Sequence, residues 1–310
     1  NIMNNRDKMI VKAALLFYKE NVNQTEIAQQ LGVSRPTVAT LLKEAVERGI
    51  VKISIQDSEI MNFEQQEILA KKYGLKTVLI SSASDSEDEA KQEVGNLCAT
   101  FVENNLKRIK SLGIGWGSTL NKFAEAASFH HFEDLSIVPL IGGVDVSNVK
   151  NQSNHLAFIL SQKYNCNVDY FYAPAIAESL EMKETFDKSQ FINNIIRKGK
   201  NVDMAIAAVG NPIESSSYRK LGYFSEEDSR EMKEKNVIGY ILATFFNQEG
   251  QPVATNISQK IIGINLEDLM NIKEVVVVAS GKEKAPSIQY LLKQPVIDHL
   301  IIDSEIAATL

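Results

Sequence analysis

Glycine and hydroxyl residues follow one predicted strand of this chain in a pattern that suits the binding of an anion. The stretch is Gly115-Trp116-Gly117-Ser118-Thr119, and a helix is predicted to begin at Ser118. Glycines allow a ligand to approach the backbone closely, and the N–H groups at a helix N-terminus attract negative charge. The stretch matches neither GxGxxG nor GxxxxGKS/T, so we expect it to bind a phosphate group rather than a nucleotide.

Three more polar, glycine-bearing loops are predicted at the ends of later strands. They contain, in chain order, Gly142 and Gly143, then Gly210 and Asn211, then Lys284 within the segment Ser280-Gly281-Lys282-Glu283-Lys284. Any one of the four loops could be only a turn. Parallel sheets bind ligands beyond the carboxyl ends of their strands, and a lysine can neutralise a phosphate. Four such loops on one edge of a sheet therefore predict a site for a small anion.

Residues 23–50 have the spacing of two short helices around a tight turn. Gly32 can take the positive φ that such a turn requires. Ser34 stands at the N-cap position of the second helix, and Pro36 lies in its first turn. An apolar stripe then follows at helical spacing: Val38, Leu41, Leu42, Ala45 and Val46. This arrangement is typical of a helix-turn-helix, whose second helix enters the DNA major groove.

The polar face of this segment predicts which side chains contact DNA. They are Thr25, Ser34, Arg35, Thr37, Thr40 and Lys43. Such side chains, together with a helix N-terminus, bind phosphates or base edges. The alternative is a generic three-helix packing unit with a polar outer face. We favour DNA binding because the small residue Ala28 and the turn residue Gly32 stand where the motif requires them.

Other elements must support and connect these sites. Residues 7–19 predict a scaffold helix whose apolar side closes the core of the N-terminal unit. Residues 51–55 alternate like a strand, which suggests a winged variant of the motif, although no convincing second wing strand follows. We place the domain boundary after residue 56, giving a DNA-binding domain over 1–56 and a second domain over 57–310. A charged helix over 60–73 is predicted as a linker and dimer contact.

From residue 76 onward, short β-branched runs alternate with helical segments. Strands are predicted at residues 76–81, 111–117, 135–143, 168–175, 202–210, 237–246, 274–280 and 299–303. Helices are predicted at residues 87–106, 118–127, 153–164 and 191–197. Apolar strands bounded by helices predict an α/β fold, a Rossmann-like parallel sheet covered by helices on both faces.

Charge is unevenly distributed along the 310 residues, whose net charge is −6. Residues 1–55 carry a net +3, so the remainder carries −9. This distribution suits a protein that touches DNA at one end and does not suit a general nucleic-acid coat.

The cysteines and the hydropathy pattern bound the class of protein further. Cys98 and Cys166 lack the spacing of metal ligands and are predicted to be free, buried thiols. We expect neither a metal nor a cofactor. No segment resembles a signal peptide, and no apolar run approaches the roughly 20 residues of a membrane span. The chain is therefore expected to be cytoplasmic and to have no membrane partner.

Several segments in combination resemble one family over essentially the whole length. They are NQTEIAQQLGVSRPTVATLLKEA, GIGWGSTL, VPLIGG, LGYFSEED, FFNQEG, KIIGINLEDL and ASGKEKAPSIQYLL with LIID. The chain is similar to SorC-family transcriptional regulators, which include the central glycolytic genes regulator and the deoxyribonucleoside regulator of Gram-positive bacteria. The resemblance implies that the large domain has the fold of sugar-phosphate isomerases and CoA transferases. It also implies a phosphorylated sugar as inducer and a homo-oligomer, dimer or tetramer, on palindromic operators.

The resemblance assigns roles to the loops described above. It implies that residues 115–119 line the phosphate end of an effector pocket, that Gly142 and Gly143 form its floor, and that Lys284 contacts the effector. Gly210 and Asn211 are also expected at the pocket. Asn247 stands where many members have an aspartate that holds sugar hydroxyls, and an amide donates as well as accepts hydrogen bonds.

Two more departures from the family concern the sugar. Deoxyribonucleoside regulators have a lysine before the Gly-Gly pair that forms a Schiff base with the sugar aldehyde. Ile141 stands here and has no amine, which excludes covalent capture by that route. Tyr240 stands where an acidic residue often follows the glycine. The ligand is therefore expected to differ from the known inducers, or the pocket to be degenerate.

We predict a repressor-like regulator whose operator affinity changes when the effector binds, with the helix over 60–73 carrying the change. An isomerase-like enzyme is the rival hypothesis, and it needs a positioned general base. The candidate bases are scattered along the chain: His130, His131, His155, His299, Asp145 and Asp169. None has a metal-ligand spacing such as HExxH, so we predict no catalytic residue. A constitutive DNA-binding protein with an unused pocket is the third possibility.

Overall fold

The computed structural model of the chain describes residues 5–51, 57–144, 146–213 and 217–310. The chain divides into two units, Asn1–Asp57 and Ser58–Leu310. Most of the strand predicted over 51–55, and with it the predicted wing, lies outside the described residues. Asp145, one of the candidate bases, also lies outside them.

The N-terminal unit is a small helical domain. Its helices are α1 (Asn5–Ala14), which continues into a π-helical turn over Leu15–Lys19, α2 (Gln24–Leu31) and α3 (Arg35–Glu47). Its core is formed by buried side chains from all three helices: Ile10, Ala13, Ala14, Leu16, Ile27, Ala28, Val38, Leu41, Leu42 and Ala45. The predicted scaffold helix and most of the apolar stripe of α3 are therefore confirmed. Val46 is the exception, since 37% of it is exposed where the last turn of α3 extends beyond this core.

Ion pairs join α1 to α3 on the surface of this unit. Arg6 Nη2 lies 2.9 Å from Glu44 Oε2, and Arg48 Nη1 lies 2.7 Å from Asp7 Oδ1. Exposed pairs of this kind add little stability. Their main consequence is that two of the basic side chains of the N-terminal unit already have carboxylate partners.

The larger unit alternates strands and helices, as the sequence predicts. Its strands are β1 (Thr77–Ile80), β2 (Ser111–Ile114), β3 (Ser136–Pro139), β4 (Asn167–Val168), β5 (Met204–Gly210), β6 (Gly239–Ile241), β7 (Thr244–Phe246), β8 (Glu274–Ala279) and β9 (His299–Ile302). Its helices are α4 (Asp57–Tyr73), α5 (Glu87–Asn105), α6 (Ser118–Ala126), α7 (Ser153–Tyr164), α8 (Leu180–Lys188), α9 (Gln190–Lys200), α10 (Ser217–Lys220), α11 (Glu226–Glu234), α12 (Leu266–Met270), α13 (Ala285–Leu291) and α14 (Ser304–Ala307).

Among the described residues, seven strands form a parallel sheet in the order β1-β9-β8-β5-β2-β3-β4. Strand β8 shows why both faces are covered. Val276 and Val278 pack into the core that contains α5, α6 and α7, whereas Val275 and Val277 pack into the core on the opposite face. The predicted parallel α/β sheet with helices on both faces is confirmed.

Two predicted strands are wrong in detail. The run 237–246 is a hairpin of β6 and β7 rather than one strand, and β6 pairs antiparallel with β5. The chain reverses at Leu242, which has a left-handed φ of +47°. The apolar run conceals this turn because its turn residues are themselves buried. The run 168–175 contributes only Val168 to β4, and residues 169–175 form no strand.

Helix α4, predicted as a linker, belongs to the larger unit, and several of its described side chains contact the rest of that unit. Leu69 is buried in the core, and Gln66 Oε1 accepts from Ile80 N–H at 2.9 Å. Tyr73 Oη donates to Leu310 O at 2.8 Å. Phe63 and Ile68 of the same helix are 64% and 63% exposed. The role of this helix as a dimer contact stays a prediction.

Both cysteines are free thiols, as predicted. Cys98 is fully buried, and burial raises the pKa of its thiol. Cys166 is only half-buried, and burial raises the pKa of its thiol to about 11. Both thiols are therefore protonated at neutral pH and poor nucleophiles.

The helices of the larger unit are amphipathic and charged. The longest described helix, α5, has 19 residues and carries Glu87, Asp88 and Glu89 in its first turn. No helix that the described residues form combines the length and the apolar character needed to cross a membrane.

Acidification is expected to destabilise the larger unit through His299, at the start of β9. Burial lowers the pKa of His299 from its ordinary 6.5, although its Nε2 lies 3.0 Å from Glu274 Oε1, a contact that raises the pKa. The folded state therefore favours neutral His299. Its stabilising contribution is present above pH 6.5 and is lost as the pH falls below that value, because the unfolded chain then binds the proton more readily.

The measurement is the Tm of the full chain between about pH 7.5 and pH 5.5, the range in which histidine titrates. His299→Gln, which keeps a donor towards Glu274 but cannot titrate, should show a flatter Tm profile than the wild type. Identical slopes for the two proteins would contradict the assignment.

Candidate functional site

A pocket lies at the carboxyl ends of β2 and β5, at the sheet edge where the sequence predicts an anion site. Its lining comes from four segments: Trp116, Gly117, Ser118 and Thr119; Ala208 and Val209; Tyr240; and Lys284. The open space in it is about 30 Å³. The sheet order brings these segments together, because β2 and β5 are neighbours and β6 pairs with β5.

Gly117 shapes the turn from β2 into α6. It precedes the helix with a φ of +127°, a conformation that a residue with a side chain rarely adopts. No side chain caps the helix. The N–H groups of Ser118 and Thr119 therefore lie in the first turn, where a helix has no acceptor of its own for them. Both residues line the pocket, so an anion bound there could accept hydrogen bonds from these N–H groups.

Thr119 is the most informative residue of the pocket. It is only 2% exposed, and its Oγ1 has no hydrogen-bond partner among the described residues. A buried hydroxyl without a partner costs about 1–3 kcal/mol, so its persistence calls for a reason. A phosphate oxygen accepting from this hydroxyl would supply one.

Lys284 brings positive charge to the same pocket from the turn before α13. Its side chain is half-buried and forms no ion pair with the described residues. Burial lowers the pKa of its ammonium group, Glu283 raises it, and the positive charges of Lys91 and Lys220 lower it further. Glu87 is engaged with Lys91, whose Nζ lies 2.6 Å from Glu87 Oε1. An anion bound in the pocket would compensate the charge of Lys284.

Aromatic rings form one wall of the pocket region. The ring centroids of Trp116 and Tyr218 are 4.6 Å apart, and those of Tyr218 and Tyr240 are 5.3 Å apart. Phe245 extends this aromatic cluster, and its ring centroid lies 6.1 Å from that of Tyr240. Burial raises the pKa of Tyr218, so its hydroxyl stays protonated. Of these rings, Trp116 and Tyr240 line the pocket together with Thr119 and Lys284.

Gly142 and Gly143, predicted as the floor, lie outside the pocket lining. Their N–H groups already donate to Ile262 O at 3.0 Å and to Ala173 O at 2.8 Å. A Cβ at Gly142 would lie 2.4 Å from the carbonyl oxygen of Pro174. Gly142 is needed because a second backbone segment passes closely there. Ile141, beside them, is fully buried.

Gly115 and Gly210 have a packing role, and their contact with a ligand stays a prediction. A Cβ at Gly210 would lie 2.4 Å from Cζ of Tyr240, and a Cβ at Gly115 would lie 3.0 Å from Cδ2 of Leu242. Both glycines make room for side chains of the β6–β7 hairpin. They contribute to the site indirectly, by allowing the hairpin to lie against β5 and β2.

The two asparagines predicted at the pocket have partners in their own loops. Asn211 Oδ1 accepts from Ile213 N–H at 2.9 Å. Asn247 Oδ1 accepts from Glu249 N–H at 2.9 Å and from Gln251 N–H at 3.0 Å, which stabilises the turn after β7. Neither residue lines the pocket. Contact of Asn247 with an effector stays a prediction, and its motif position does not show that the side chain folds back onto its own turn.

Ala208 and Val209 also line the pocket, although nothing in their sequence pattern predicts a ligand contact. They belong to β5, and their apolar character indicates only a buried strand. The signal that could have identified them is the pairing of β5 with β2, and this depends on the sheet order.

The six side chains predicted to contact DNA are all exposed on the N-terminal unit. Gly32 has the predicted positive φ, +67°, and Ser34 Oγ accepts from Thr37 N–H at 3.3 Å as the N-cap of α3. Ser34 Oγ also lies 2.8 Å from Thr37 Oγ1. The turn and the cap therefore fix the start of α3 and leave its outer face in solvent.

The cationic side chains of this face, Arg35 and Lys43, differ in their ion-pair partners. Arg35 forms no ion pair with the described residues, and Lys43 Nζ lies 3.6 Å from Glu47 Oε1 in an exposed pair. Thr40 Oγ1 donates to Pro36 O at 3.0 Å, so it must rotate before it can donate to a phosphate. Arg35 and Lys43 are therefore the side chains best suited to phosphate contact.

Comparison with known proteins agrees with this architecture. Residues 58–310 match the Sugar-bind family of sugar-binding domains, and residues 3–52 match the winged helix-turn-helix DNA-binding family. The deoxyribonucleoside regulator of Bacillus subtilis (strain 168) is 29% identical, with 98% of this chain and 97% of that protein covered. The sorbitol operon regulator of Klebsiella pneumoniae is 26% identical, with 99% of both chains covered.

Solved structures show the same relationship. The full-length sorbitol operon regulator SorC from Klebsiella pneumoniae aligns with a TM-score of 0.81 over 99% of both chains, at 26% identity. A DeoR family transcriptional regulator from Listeria monocytogenes aligns with a TM-score of 0.75 at 33% identity, covering 80% of this chain and 98% of that one. The chain belongs to the SorC-type family of sugar-binding transcriptional regulators with an N-terminal helix-turn-helix.

Proposed function

We propose that this chain regulates transcription in the cytoplasm by binding operator DNA, with an affinity that falls when the phosphate of a sugar phosphate occupies the pocket at Thr119 and Lys284. The observation that carries the proposal is the buried Thr119 hydroxyl, which has no hydrogen-bond partner among the described residues and lines the same pocket as Lys284 and the start of α6. These groups together supply hydrogen-bond donors and positive charge, which is the chemistry that binds a phosphate monoester.

Operator contact is assigned to the exposed face of α3. Arg35 and Lys43 would bind the DNA backbone, while Ser34, Thr37 and Thr40 would contact phosphates or base edges near the start of the helix. Thr25, exposed at the start of α2, would contact the backbone.

Control by an effector further requires that binding of the sugar phosphate and binding of DNA be linked through two arrangements of the protein. We propose a homo-oligomer, a dimer or tetramer, because paired helix-turn-helix units recognise the two half-sites of a palindrome. The exposed Phe63 and Ile68 of α4 offer an apolar surface for such pairing.

The test is operator titration with the full chain. An operator is first selected from random duplex DNA, and its affinity is measured with and without a panel of sugar phosphates at fixed salt. One member of the panel should change the affinity by roughly 5–150-fold, the range of typical coupling free energies. The matched unphosphorylated sugar should have no effect, because the pocket recognises the phosphate.

Two other outcomes would replace this proposal. Equal operator affinities across the panel, with no ligand shifting the Tm, would establish a regulator that works without an effector, since a specific ligand must stabilise the native state. Turnover of a sugar phosphate by the purified chain would establish the isomerase-like alternative. The relatives named above are themselves described as regulators.

A further inference from the structure

A buried carboxylate from another strand end holds the loop that carries Lys284. Asp303 follows β9 and is only 2% exposed. Its Oδ2 accepts from Gly281 N–H at 2.6 Å and from Ser280 Oγ at 3.2 Å. Gly281 O in turn accepts from Lys284 N–H at 3.0 Å. The placement of the Lys284 backbone therefore depends on Asp303 through a single glycine.

The same carboxylate also holds the first turn of α14. Asp303 Oδ1 accepts from Ile306 N–H at 2.9 Å, so one side chain binds both the lysine loop (residues 280–284) and the segment 303–310. Hydrogen bonds to an ionised carboxylate are about twice as strong as those between neutral groups. The contacts of Asp303 therefore fix these two parts of the chain relative to each other.

Helix α4 is anchored on the segment that includes α14. Gln65 Nε2 donates to Ala307 O at 3.2 Å, and Tyr73 Oη donates to Leu310 O at 2.8 Å. Helices α4 and α14 also contribute side chains to one hydrophobic core. A continuous set of contacts therefore leads from the lysine loop through Asp303 to α4.

The lysine loop has space in which to change position. A cavity of about 290 Å³ is lined by three residues of the loop, by Asp303 and by the start of α5. Packed interiors contain few voids of this size, so a loop beside such a cavity can shift at little cost in packing. The hydrogen bonds to Asp303 are therefore the contacts that a shift of Lys284 would strain.

We infer that Asp303 is a positioning residue that couples the phosphate pocket to α4. A phosphate bound by Lys284 restrains the lysine loop, Asp303 transmits this restraint to the segment 303–310, and α4 becomes more rigid. The inference rests on the proposed function and specifies how its effector acts on the helix that follows the N-terminal unit in the chain. Coupling between two sites requires an element that both of them bias, and the Asp303 carboxylate contacts both parts of the chain.

The experiment measures hydrogen exchange of the α4 amides over residues 62–73 in the full chain, with and without saturating inorganic phosphate. Phosphate should slow this exchange by at least about threefold in the wild type and by less than about 1.5-fold in Asp303→Asn. Asparagine keeps the size of the side chain but replaces one acceptor oxygen by an N–H donor. Isothermal titration should show phosphate binding roughly 2–10-fold weaker in Asp303→Asn, as for one lost hydrogen bond, so each protein is compared at its own saturating concentration.

Three further variants separate positioning from general stability. Glu305→Gln removes an exposed carboxylate from α14 and should behave like the wild type. Tyr73→Phe removes the donor to Leu310 O and should reduce the effect of phosphate on α4, while phosphate affinity changes by less than about twofold. Ser280→Ala removes only the hydroxyl contact to Asp303, and it replaces Asp303→Asn in the comparison if that variant has a lowered Tm.

The outcomes separate this inference from the proposed function. Equal slowing of α4 exchange in the wild type and in Asp303→Asn would overturn the coupling while leaving the phosphate pocket intact. Phosphate binding by the wild type without any change in α4 exchange would overturn it as well. If the wild type binds no phosphate, the pocket is wrong and the ligand-free proteins decide the coupling. Tyr73→Phe should then speed exchange of the lysine-loop amides when Asp303 is present and not when it is Asn, and equal effects in both backgrounds would overturn the inference.

Discussion

Replacing Lys284 by Met is expected to weaken binding of a phosphorylated effector by roughly 10–150-fold, the value of a hydrogen bond to a charged group of about 1.5–3 kcal/mol. The Nζ of Lys284 is the cation of the pocket lining and has no ion-pair partner among the described residues. Its removal therefore takes away attraction for the phosphate without breaking a contact within the protein. Isothermal titration with the phosphorylated ligand, and operator titration in its presence, are the measurements.

The stability of the same variant provides an independent check. Burial already lowers the pKa of Lys284, which means that the free protein holds its charge at a disadvantage. Lys284→Met should therefore leave the Tm unchanged or raise it. Operator affinity without effector should stay at the wild-type value. Loss of ligand binding accompanied by a lower Tm would instead indicate misfolding and would not support the assignment.

Thr119→Val tests the second half of the same phosphate site. Valine has nearly the shape of threonine and removes the buried hydroxyl, which has no partner among the described residues. It should therefore stabilise the free protein and weaken phosphate binding. Thr119→Ser should restore binding because it keeps the hydroxyl. Lys282→Met, which removes an exposed lysine two residues before Lys284, is the matched charge control and should bind like the wild type.

The pH dependence of effector binding has a predictable sign. A phosphate binds best to charged Lys284, and the pKa of Lys284 is lowered from 10.5 in the free protein. Affinity should therefore decline as the pH rises towards that lowered pKa, and Lys284→Met should abolish the decline. A wild-type affinity that stays constant up to pH 10.5 would contradict this account.

The largest losses of DNA affinity are expected when Arg35 and Lys43 are replaced. Each charged contact to a phosphate is worth about 1.5–3 kcal/mol, so Arg35→Ala alone should weaken operator binding by about 10–150-fold. Lys43→Ala should weaken binding to all DNA sequences and reduce the slope of log affinity against log salt by about 1 for each helix-turn-helix unit. Fluorescence titrations of a labelled duplex at several salt concentrations give both quantities.

A matched control variant distinguishes the loss of a specific DNA contact from the loss of one positive charge in general. Lys107, exposed after α5 in the larger unit, can be changed to Ala with the same loss of one positive charge. It should leave the affinity and the salt slope near the wild-type values. Arg35 and Lys43 variants that behave like Lys107→Ala would show that α3 does not meet the DNA backbone.

Local sequence patterns determine the N-terminal unit. The turn at Gly32, the cap at Ser34 and the stripe from Val38 to Ala45 all depend on residues within a few positions of one another, so helical periodicity and turn chemistry suffice to predict them. The same holds for the start of α6, where Gly117 alone determines the turn into the helix. It also holds for the alternation of strands and helices that predicts the parallel sheet.

Tertiary structure decides which predicted loops form the pocket. Trp116, Val209, Tyr240 and Lys284 are brought together only by the sheet order and by the hairpin that folds back on β5. Glycine residues illustrate the difference. Gly117 is explained by its own φ, whereas Gly142 and Gly210 are explained by a backbone or a ring distant in sequence. A glycine in the sequence shows that the position has no side chain, but it does not show which distant atoms occupy the space around it.

The residue types alone therefore establish a helix-turn-helix joined to a parallel α/β domain, together with a glycine-hydroxyl turn and a lysine suited to phosphate. The tertiary structure decides that Thr119 and Lys284 share one pocket, that Asn247 Oδ1 accepts hydrogen bonds from its own turn, and that Tyr240 lines the pocket. The physical reason is the separation along the chain of the residues that interact. Caps, turns and periodicity depend on short-range dihedral and hydrogen-bonding preferences, whereas a binding pocket depends on the packing of segments that lie far apart in the chain.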